Sequence, residues 1–308
     1  MTLMQMPGPN DNPMDAITFG LSYAMIWLLS RLPMRMVYSF SDFLFLVIYY
    51  LARYRRKIVF KNLSGAFPDK DPAEITRLAK KFYRFFCDVS LEIFVSQRWS
   101  YEKIVEMYKV RNPEIVDTYI KQNRNVMIIA GHHGNWEWTR SFTAVCNIHI
   151  IAVYKPLSNK YFNRWVVRVR EDENHTVVPM DQSFRTIIDF ERRKVPYLSY
   201  LVADQRPLPV QIHRWINFLN QDTPVFSGPE KIAMKTGQVV IFLKIHRVKR
   251  GLYEVDLIPI TDNPAGTSEN EITDSYFRML EEMIREQPQL YLWSHNRWKF
   301  TREDVPGH

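Results

Sequence analysis

Residues 125–138 read Asn-Val-Met-Ile-Ile-Ala-Gly-His-His-Gly-Asn-Trp-Glu-Trp, an apolar run that ends at a glycine and two histidines. The run at 125–130 is short and continuous, which is typical of a strand that is buried on both faces of a parallel sheet. Asn135 is of a residue type that caps helix N-termini, so we expect a helix at 136–146. A buried strand that leads directly into a helix predicts one unit of an α/β domain.

Strands and helices alternate on the C-terminal side of this unit. We predict strands at residues 148–154, 176–180, 196–203, 239–246 and 253–260, and helices at residues 159–171, 182–191, 228–236 and 270–286. Such alternation favours an α/β fold with a mostly parallel central sheet flanked by helices. Upstream, Pro72 and apolar residues that recur every three or four positions from Ile75 to Ile93 predict a long helix. No second domain boundary divides residues 53–308, so we expect one domain there.

Two apolar runs, residues 16–30 and 36–52, precede this domain. Each run is short for a full membrane span, which needs about 20 residues. The segment between them contains two arginines and a proline, which predicts a helix break. We therefore expect residues 16–52 to be membrane-associated helices, either a pair that dips into one leaflet or a tilted span with an interfacial helix. Two buried core helices are the alternative. Residues 1–15, rich in Pro, Asn and Met, are expected to be poorly ordered.

Positive charge follows these apolar runs directly. The segment Arg53-Tyr54-Arg55-Arg56-Lys57 predicts that the rest of the chain faces the cytoplasm and binds anionic headgroups. The net charge of +8 favours an anionic partner such as a membrane surface, an acidic carrier protein or a phosphorylated lipid. Nucleic acid is disfavoured, because the basic residues lie beside apolar helices and no recognition motif is present.

The sequence carries no signature of a metal or nucleotide cofactor. The two cysteines, Cys87 and Cys146, have no metal-ligand spacing, and there is no glycine-rich phosphate loop or dinucleotide fingerprint. No serine or cysteine lies in a nucleophile-elbow context, which favours a direct transfer reaction over one that passes through an enzyme-bound ester. We therefore expect an enzyme that needs no cofactor.

His132 follows the strand at 125–130 at once, and Glu137 comes five residues later. In open parallel sheets, ligands bind beyond the carboxyl ends of the strands, so His132 is well placed for function. Across a tight turn, the Glu137 carboxylate would hold one ring nitrogen of His132, and the other nitrogen would accept a proton from a substrate hydroxyl. The same spacing also occurs in ordinary strand-to-helix turns with a capping Asn and a first-turn Glu, so the spacing alone does not identify a general base.

Residues 131–137 resemble the His-x4-Asp/Glu motif of the bacterial lipid A biosynthesis acyltransferases, a family within the lysophospholipid acyltransferase superfamily. Further similar pieces are Lys61-Asn62-Leu63 with Phe67-Pro68, Tyr154-Lys155-Pro156-Leu157, Ala203-Asp204-Gln205 and Tyr291-Leu292-Trp293-Ser294-His295-Asn296-Arg297-Trp298-Lys299. The resemblance extends over almost the whole chain, and it implies a glycerolipid acyltransferase-like α/β fold.

This resemblance implies that a fatty acyl chain moves from an acyl carrier protein or acyl-CoA thioester to a hydroxyl of a lipid A precursor. It implies His132 as the base with Glu137 as its partner, and a catalytic domain on the cytoplasmic side of the bacterial inner membrane. The candidate substrate-binding residues are Asn135, Arg170, Arg185, Asp204 and Gln205. The two arginines are of a type that grips phosphate or carboxylate groups, although a solvated basic face would look the same.

Other acceptors fit the same motifs. An O-acyltransferase for an amino-acid-containing lipid, or a lysophospholipid acyltransferase, would share them. Outside enzymes, the alternative is a membrane-surface binding protein that has kept the fold and lost activity. The intact His132 and Glu137 argue against that alternative.

Overall fold

The computed structural model describes residues 13–138 and 140–304. Its helices are α1 (Pro13–Leu29), α2 (Met34–Leu46), α3 (Arg56–Ala66), α4 (Pro72–Val95), α5 (Tyr101–Met107), α6 (Glu114–Lys121), α7 (Arg140–Cys146), α8 (Lys160–Arg170), α9 (Ser183–Arg193), α10 (Gly228–Thr236) and α11 (Glu271–Glu286). Its strands are β1 (Tyr108–Val110), β2 (Val126–Ala130), β3 (His149–Tyr154), β4 (His175–Pro179), β5 (Tyr197–Val202), β6 (Arg214–Phe218), β7 (Gln221–Val225), β8 (Val239–Lys249) and β9 (Leu252–Thr261).

Seven strands form one sheet in the order β1-β9-β8-β2-β5-β3-β4. Within the described residues, β8 and β9 form the one antiparallel pair of this sheet. The prediction of an α/β fold with a mostly parallel sheet is therefore confirmed. β2 lies between β8 and β5, and all five of its residues are buried. A central strand of a parallel sheet is covered on both faces, which explains its uninterrupted apolar sequence.

The N-terminal residues form two helices separated at the predicted break. Residues 13–15 belong to α1, which corrects the expectation of poor order there, and residues 1–12 lie outside the described part of the chain. α2 continues into a π-helical turn, Val47–Leu51. In the part of the chain that the structure describes, Met34–Leu51 is the one helix that is long and apolar enough to cross a membrane.

These two helices have a buried face and an exposed apolar face. On α2, Val37 and Phe45 are buried in the hydrophobic core, whereas Phe43 is 59% exposed. On α1, Leu21 is 70% exposed. This arrangement has features of both predictions for the segment, membrane-associated helices and buried core helices. Part of each helix packs on the domain, and the rest leaves apolar side chains exposed.

Several elements differ from those predicted. α7 begins at Arg140 instead of residue 136. β1, α3, α5 and the β6–β7 hairpin were not anticipated. The hairpin turns at Leu219 and Asn220, which both have positive φ angles of 54° and 59°. A Leu-Asn pair lacks the Asn-Gly or Asp-Gly signature that marks such a turn in a sequence. The sequence of this hairpin therefore contains no signature from which its turn could be predicted.

Candidate active site

The motif loop, residues 131–138, leaves the carboxyl end of β2 and runs to α7 without a helical first turn. Asn135 does not cap a helix. Its Nδ2 instead donates to Glu92 Oε2 on α4 at 3.2 Å, and both side chains are buried. Gly134 has a φ of +63°, and a Cβ there would meet the Ile245 side chain at 2.5 Å. A left-handed glycine and a tethered asparagine thus fix the path of the loop.

A second loop meets the motif loop because of the sheet register. β2 and β5 are parallel neighbours, and Ala130 pairs with Val202. His132 and Asp204 each lie two residues beyond this pair, so both reach the same edge of the sheet. His132 Nδ1 lies 2.6 Å from Asp204 Oδ1. The hydrogen bond that we expected from Glu137 to the ring is made by Asp204 instead.

The second ring nitrogen of His132 faces Gln205, whose Nε2 lies 3.0 Å from His132 Nε2. With the proton on Nδ1 donated to Asp204, the Nε2 lone pair accepts a hydrogen bond from the Gln205 amide. The Trp136 ring packs edge-on against the imidazole at 5.0 Å between centroids. This tautomer leaves Nε2 as the basic nitrogen of the site.

Charge at the site favours the protonated imidazole. Burial disfavours the imidazolium, but the charge and hydrogen bond of Asp204, together with the charge of Glu137, raise the pKa of His132 above its ordinary value. Burial likewise opposes the carboxylate of Asp204, yet the neighbouring His132 holds the pKa of Asp204 below its ordinary value. Asp204 is 2% exposed, so its carboxylate is shielded from solvent where it contacts His132.

Glu137 lies in a turn of the motif loop and forms an ion pair with Arg170, the last residue of α8. The Glu137 and Arg170 side chains are 25% and 21% exposed. Their contact joins the motif loop to a helix that forms part of the neighbouring cleft. Glu137 therefore acts on the His132 ring through its charge, without a hydrogen bond to it.

A cleft of about 820 Å³ opens beside His132. Its polar lining includes His132, Glu137, Arg170, Gln205, Lys155 and Arg206. Most of the remaining lining is apolar and comes from β3, β5, α8, α9, α10 and the adjoining loops. It includes Val153, Leu157, Val166, Met180, Phe184, Leu201, Leu208, Phe226 and Ile232. A largely apolar cleft with a few polar groups beside one histidine suits a ligand with a hydrocarbon chain.

The structure thus brings together five of the seven site residues expected from the sequence: His132, Glu137, Arg170, Asp204 and Gln205. The other two lie elsewhere. Asn135 is fully buried against Glu92, and Arg185 lies on the exposed side of α9, outside the cleft lining. Their assignment to substrate binding stays a prediction, and it has no geometric support from the cleft.

Sequence reasoning missed Arg206 and Lys155, which also line the cleft. The sequence contained a feature that could have identified each of them. Arg206 directly follows the candidate Gln205, and Lys155 lies in the family-like piece Tyr154-Lys155-Pro156-Leu157. His133 is not part of the cleft lining. Its Nε2 donates to the Gln287 carbonyl at 3.1 Å. Burial lowers the pKa of His133 to about 4. Among residues 13–138 and 140–304, no three His, Cys, Asp or Glu side chains are grouped to hold a metal ion.

A family model described as bacterial lipid A biosynthesis acyltransferase matches residues 11–300. The lipid A biosynthesis palmitoleoyltransferase of Escherichia coli (strain K12) is 23% identical over 91% of this chain and 90% of its own length. The lipid A biosynthesis lauroyltransferase of the same organism is 21% identical over 93% of both chains. The solved structure of the 1-acyl-sn-glycerophosphate (LPA) acyltransferase PlsC from Thermotoga maritima is 15% identical, with a TM-score of 0.35 over 86% of this chain and 97% of that one.

Proposed function

Because this chain belongs to the bacterial lipid A biosynthesis acyltransferase family, and is thus an acyltransferase, we propose that it acylates a hydroxyl of a lipid A precursor. The donor is the thioester of an acyl carrier protein or of coenzyme A. The observation that carries this proposal is the position of His132, which is held through Nδ1 by Asp204 and borders a long apolar cleft.

In the proposed reaction, His132 is the general base. The acceptor hydroxyl displaces the Gln205 amide from Nε2 and gives its proton to that nitrogen as its oxygen attacks the thioester carbonyl carbon. The resulting tetrahedral intermediate collapses, the C–S bond breaks, and the thiolate takes the proton from Nε2. Asp204 stabilises the imidazolium that exists between the two proton transfers.

The Glu137–Arg170 pair has a different part in this proposal. The Glu137 carboxylate stabilises the imidazolium through space and orients the Arg170 guanidinium at the cleft. Arg170, with Arg206 and Lys155 nearby in the lining, gives an anionic group of the acceptor a place to bind. The apolar side chains of the cleft bind the acyl chain.

The same proposal places the enzyme at the cytoplasmic face of the bacterial inner membrane. The exposed apolar faces of α1 and α2 support contact with lipid. The basic segment at residues 53–57 follows α2 and its π-helical turn directly, where it would bind anionic headgroups.

Two measurements test the reaction. Purified protein is mixed with a lipid A precursor and either an acyl carrier protein thioester or an acyl-CoA, and the masses of the products are measured by mass spectrometry. We expect one added acyl ester on the precursor.

The second measurement compares the lipids of cells with and without the gene. Lipid A that lacks one acyl chain supports the proposal, whereas unchanged lipid A with a missing aminolipid or phospholipid would overturn the assigned acceptor.

A further inference from the structure

The C-terminal strap, residues 290–297, lies next to the motif loop and is hydrogen-bonded to the backbone of that loop. The Leu292 amide donates to the His132 carbonyl at 3.0 Å, and the Gly134 amide donates to the Leu290 carbonyl at 3.1 Å. Tyr291 forms an isolated bridge with His133 between these bonds. The strap therefore fixes the main chain of the catalytic histidine itself.

The same strap also contacts the loop that carries Asp204. The Arg206 amide donates to His295 Nε2 at 3.4 Å, and Arg206 Nη1 donates to the Asn296 carbonyl at 2.7 Å. Arg206 is two residues from Asp204. The two loops that supply the His132–Asp204 hydrogen bond are thus connected through one short segment of chain.

Asn62 on α3 holds this strap at its centre. It is 1% exposed, and its Nδ2 donates to the Trp293 carbonyl at 2.9 Å and to the His295 carbonyl at 2.8 Å. Trp293 directly follows the residue that bonds to the motif loop, and His295 also accepts from the Arg206 amide. This amide group, 231 residues away in sequence from the first of its acceptors, therefore connects α3 to the strap, next to the hydrogen bond that Arg55 Nη1 donates to the Ser294 carbonyl at 3.1 Å.

We propose that Asn62 is a positioning residue for the catalytic base: through the C-terminal strap it fixes the separation of His132 and Asp204. This inference rests on the proposed general-base role of His132. It also gives one physical reason for two of the family-like pieces, because Lys61-Asn62-Leu63 and the run that begins at Tyr291 meet in this contact.

The alternative is that Asn62 only stabilises the fold, and a double-mutant cycle separates the two. Asn62→Ala should lower kcat about 10-fold or more, because small displacements of reacting groups are costly, with KM for donor and acceptor little changed. In an Asp204→Asn background, Asn62→Ala should lower kcat by less than about 2-fold, because the contact that it positions is already lost. Equal losses of kcat in both backgrounds would contradict the positioning role.

Asn112 offers a matched control. Its side chain also makes two hydrogen bonds to main-chain atoms, donating to the Leu257 carbonyl and accepting from the Leu257 amide, both at 2.9 Å. Leu257 lies on β9, away from the cleft lining. Asn112→Ala should lower Tm and leave kcat unchanged. If Asn62→Ala fails to fold, Asn62→Leu keeps about the same side-chain volume, removes both donors without adding a buried charge, and takes its place in the cycle.

A spectroscopic readout keeps this inference separate from the proposed reaction. The His132 Nδ1 proton, hydrogen-bonded to Asp204, should give a downfield ¹H NMR resonance that is absent from His132→Ala. The resonance should shift or broaden in Asn62→Leu and remain unchanged in Asn112→Ala. A resonance unaltered in Asn62→Leu would overturn the inference even if acyl transfer is confirmed, and an altered one would support it even if the acceptor proves to be another lipid.

Discussion

Asp204 Oδ1 and His132 Nδ1 lie 2.6 Å apart, although 72 residues separate them in the sequence. The contact follows from the pairing of two parallel strands whose carboxyl ends coincide at Ala130 and Val202. It fixes the imidazole tautomer and turns Nε2 toward Gln205 and the cleft. The ring is therefore held by a residue that follows a different strand and not by the nearby Glu137.

Replacing Asp204 tests this assignment. Asp204→Asn keeps the shape of the side chain but removes the charge that stabilises the imidazolium, so kcat should fall about 100-fold or more. The rate is measured by single-turnover transfer from a labelled thioester. Glu106→Gln removes an exposed carboxylate far from the cleft and should leave the rate unchanged. A loss of less than about 3-fold in Asp204→Asn would rule out Asp204 as the partner of the base.

The pH profile of the same variant gives an independent check. His132 must be unprotonated to act as a base, so kcat/KM should fall as the pH decreases through its pKa, which is raised above 6.5. Asp204→Asn removes the charge that contributes most to this rise, so the acidic limb should move to lower pH. If the acidic limb of Asp204→Asn lies at the same pH as that of the wild-type protein, the group that titrates in this limb is not His132.

Arg170 and Arg185 differ in their location relative to the cleft, which allows their roles to be tested. Arg170 lines it and pairs with Glu137, whereas Arg185 lies on the exposed side of α9. Arg170→Ala should raise KM for an anionic acceptor about 10-fold, since a lost charge-assisted hydrogen bond costs about 1.5–3 kcal/mol. Arg185→Ala should leave KM within about 2-fold. Steady-state kinetics with varied acceptor measures both, and the reverse pattern would restore Arg185 as the binding residue.

Chain-length preference tests the use of the apolar cleft. Ile232 on α10 lines the cleft and is 9% exposed. Ile232→Phe adds bulk to the cleft wall, so kcat/KM for the longest acyl donors should fall about 10-fold relative to shorter ones. Met234 lies on the same helix, is 37% exposed and is outside the lining, so Met234→Phe is the matched control. An unchanged preference in Ile232→Phe would mean that acyl chains bind elsewhere.

Membrane association is best tested by substitution and not by truncation. Tyr38 on α2 donates to the buried Glu92, and Ser41 on α2 donates to the buried Asp88, so removal of the N-terminal helices would take hydrogen bonds from buried carboxylates as well as apolar surface from the membrane. Leu21→Glu and Phe43→Glu change side chains that are 70% and 59% exposed. Each should weaken binding to anionic vesicles about 10-fold, because burial of such a side chain contributes about 1.5–3 kcal/mol.

Vesicle cosedimentation measures this binding. Val248→Glu on β8 is the control, since Val248 is an exposed apolar residue outside the N-terminal helices, at 47%. Equal binding by all variants would mean that α1 and α2 do not contact lipid through these faces.

The sequence predicted six of the nine described strands, because buried strands of a mostly parallel sheet are continuous apolar runs, and it missed β1, β6 and β7. It could not predict that β5 lies beside β2, since β3 and β4 come between them along the chain. For that reason Asp204 was identified only as a substrate-binding candidate, and Glu137 was assigned the contact that Asp204 makes. The start of α7 was misplaced for a similar reason: the side chain of Asn135 is engaged by Glu92, a distant residue, and cannot cap a local helix.

The central claim is that His132 is the base of an acyl transfer reaction, and the most direct test is the single-turnover rate of His132→Ala. The variant should keep the circular dichroism spectrum and Tm of the wild-type protein, because the side chain lies at the cleft and is 16% exposed. We expect the rate of transfer to the lipid acceptor to fall about 1,000-fold, within the range for loss of a general base. His246→Ala, at an exposed position on β8, should transfer at the wild-type rate. A folded His132→Ala protein that transfers acyl chains at a near-normal rate would contradict the account.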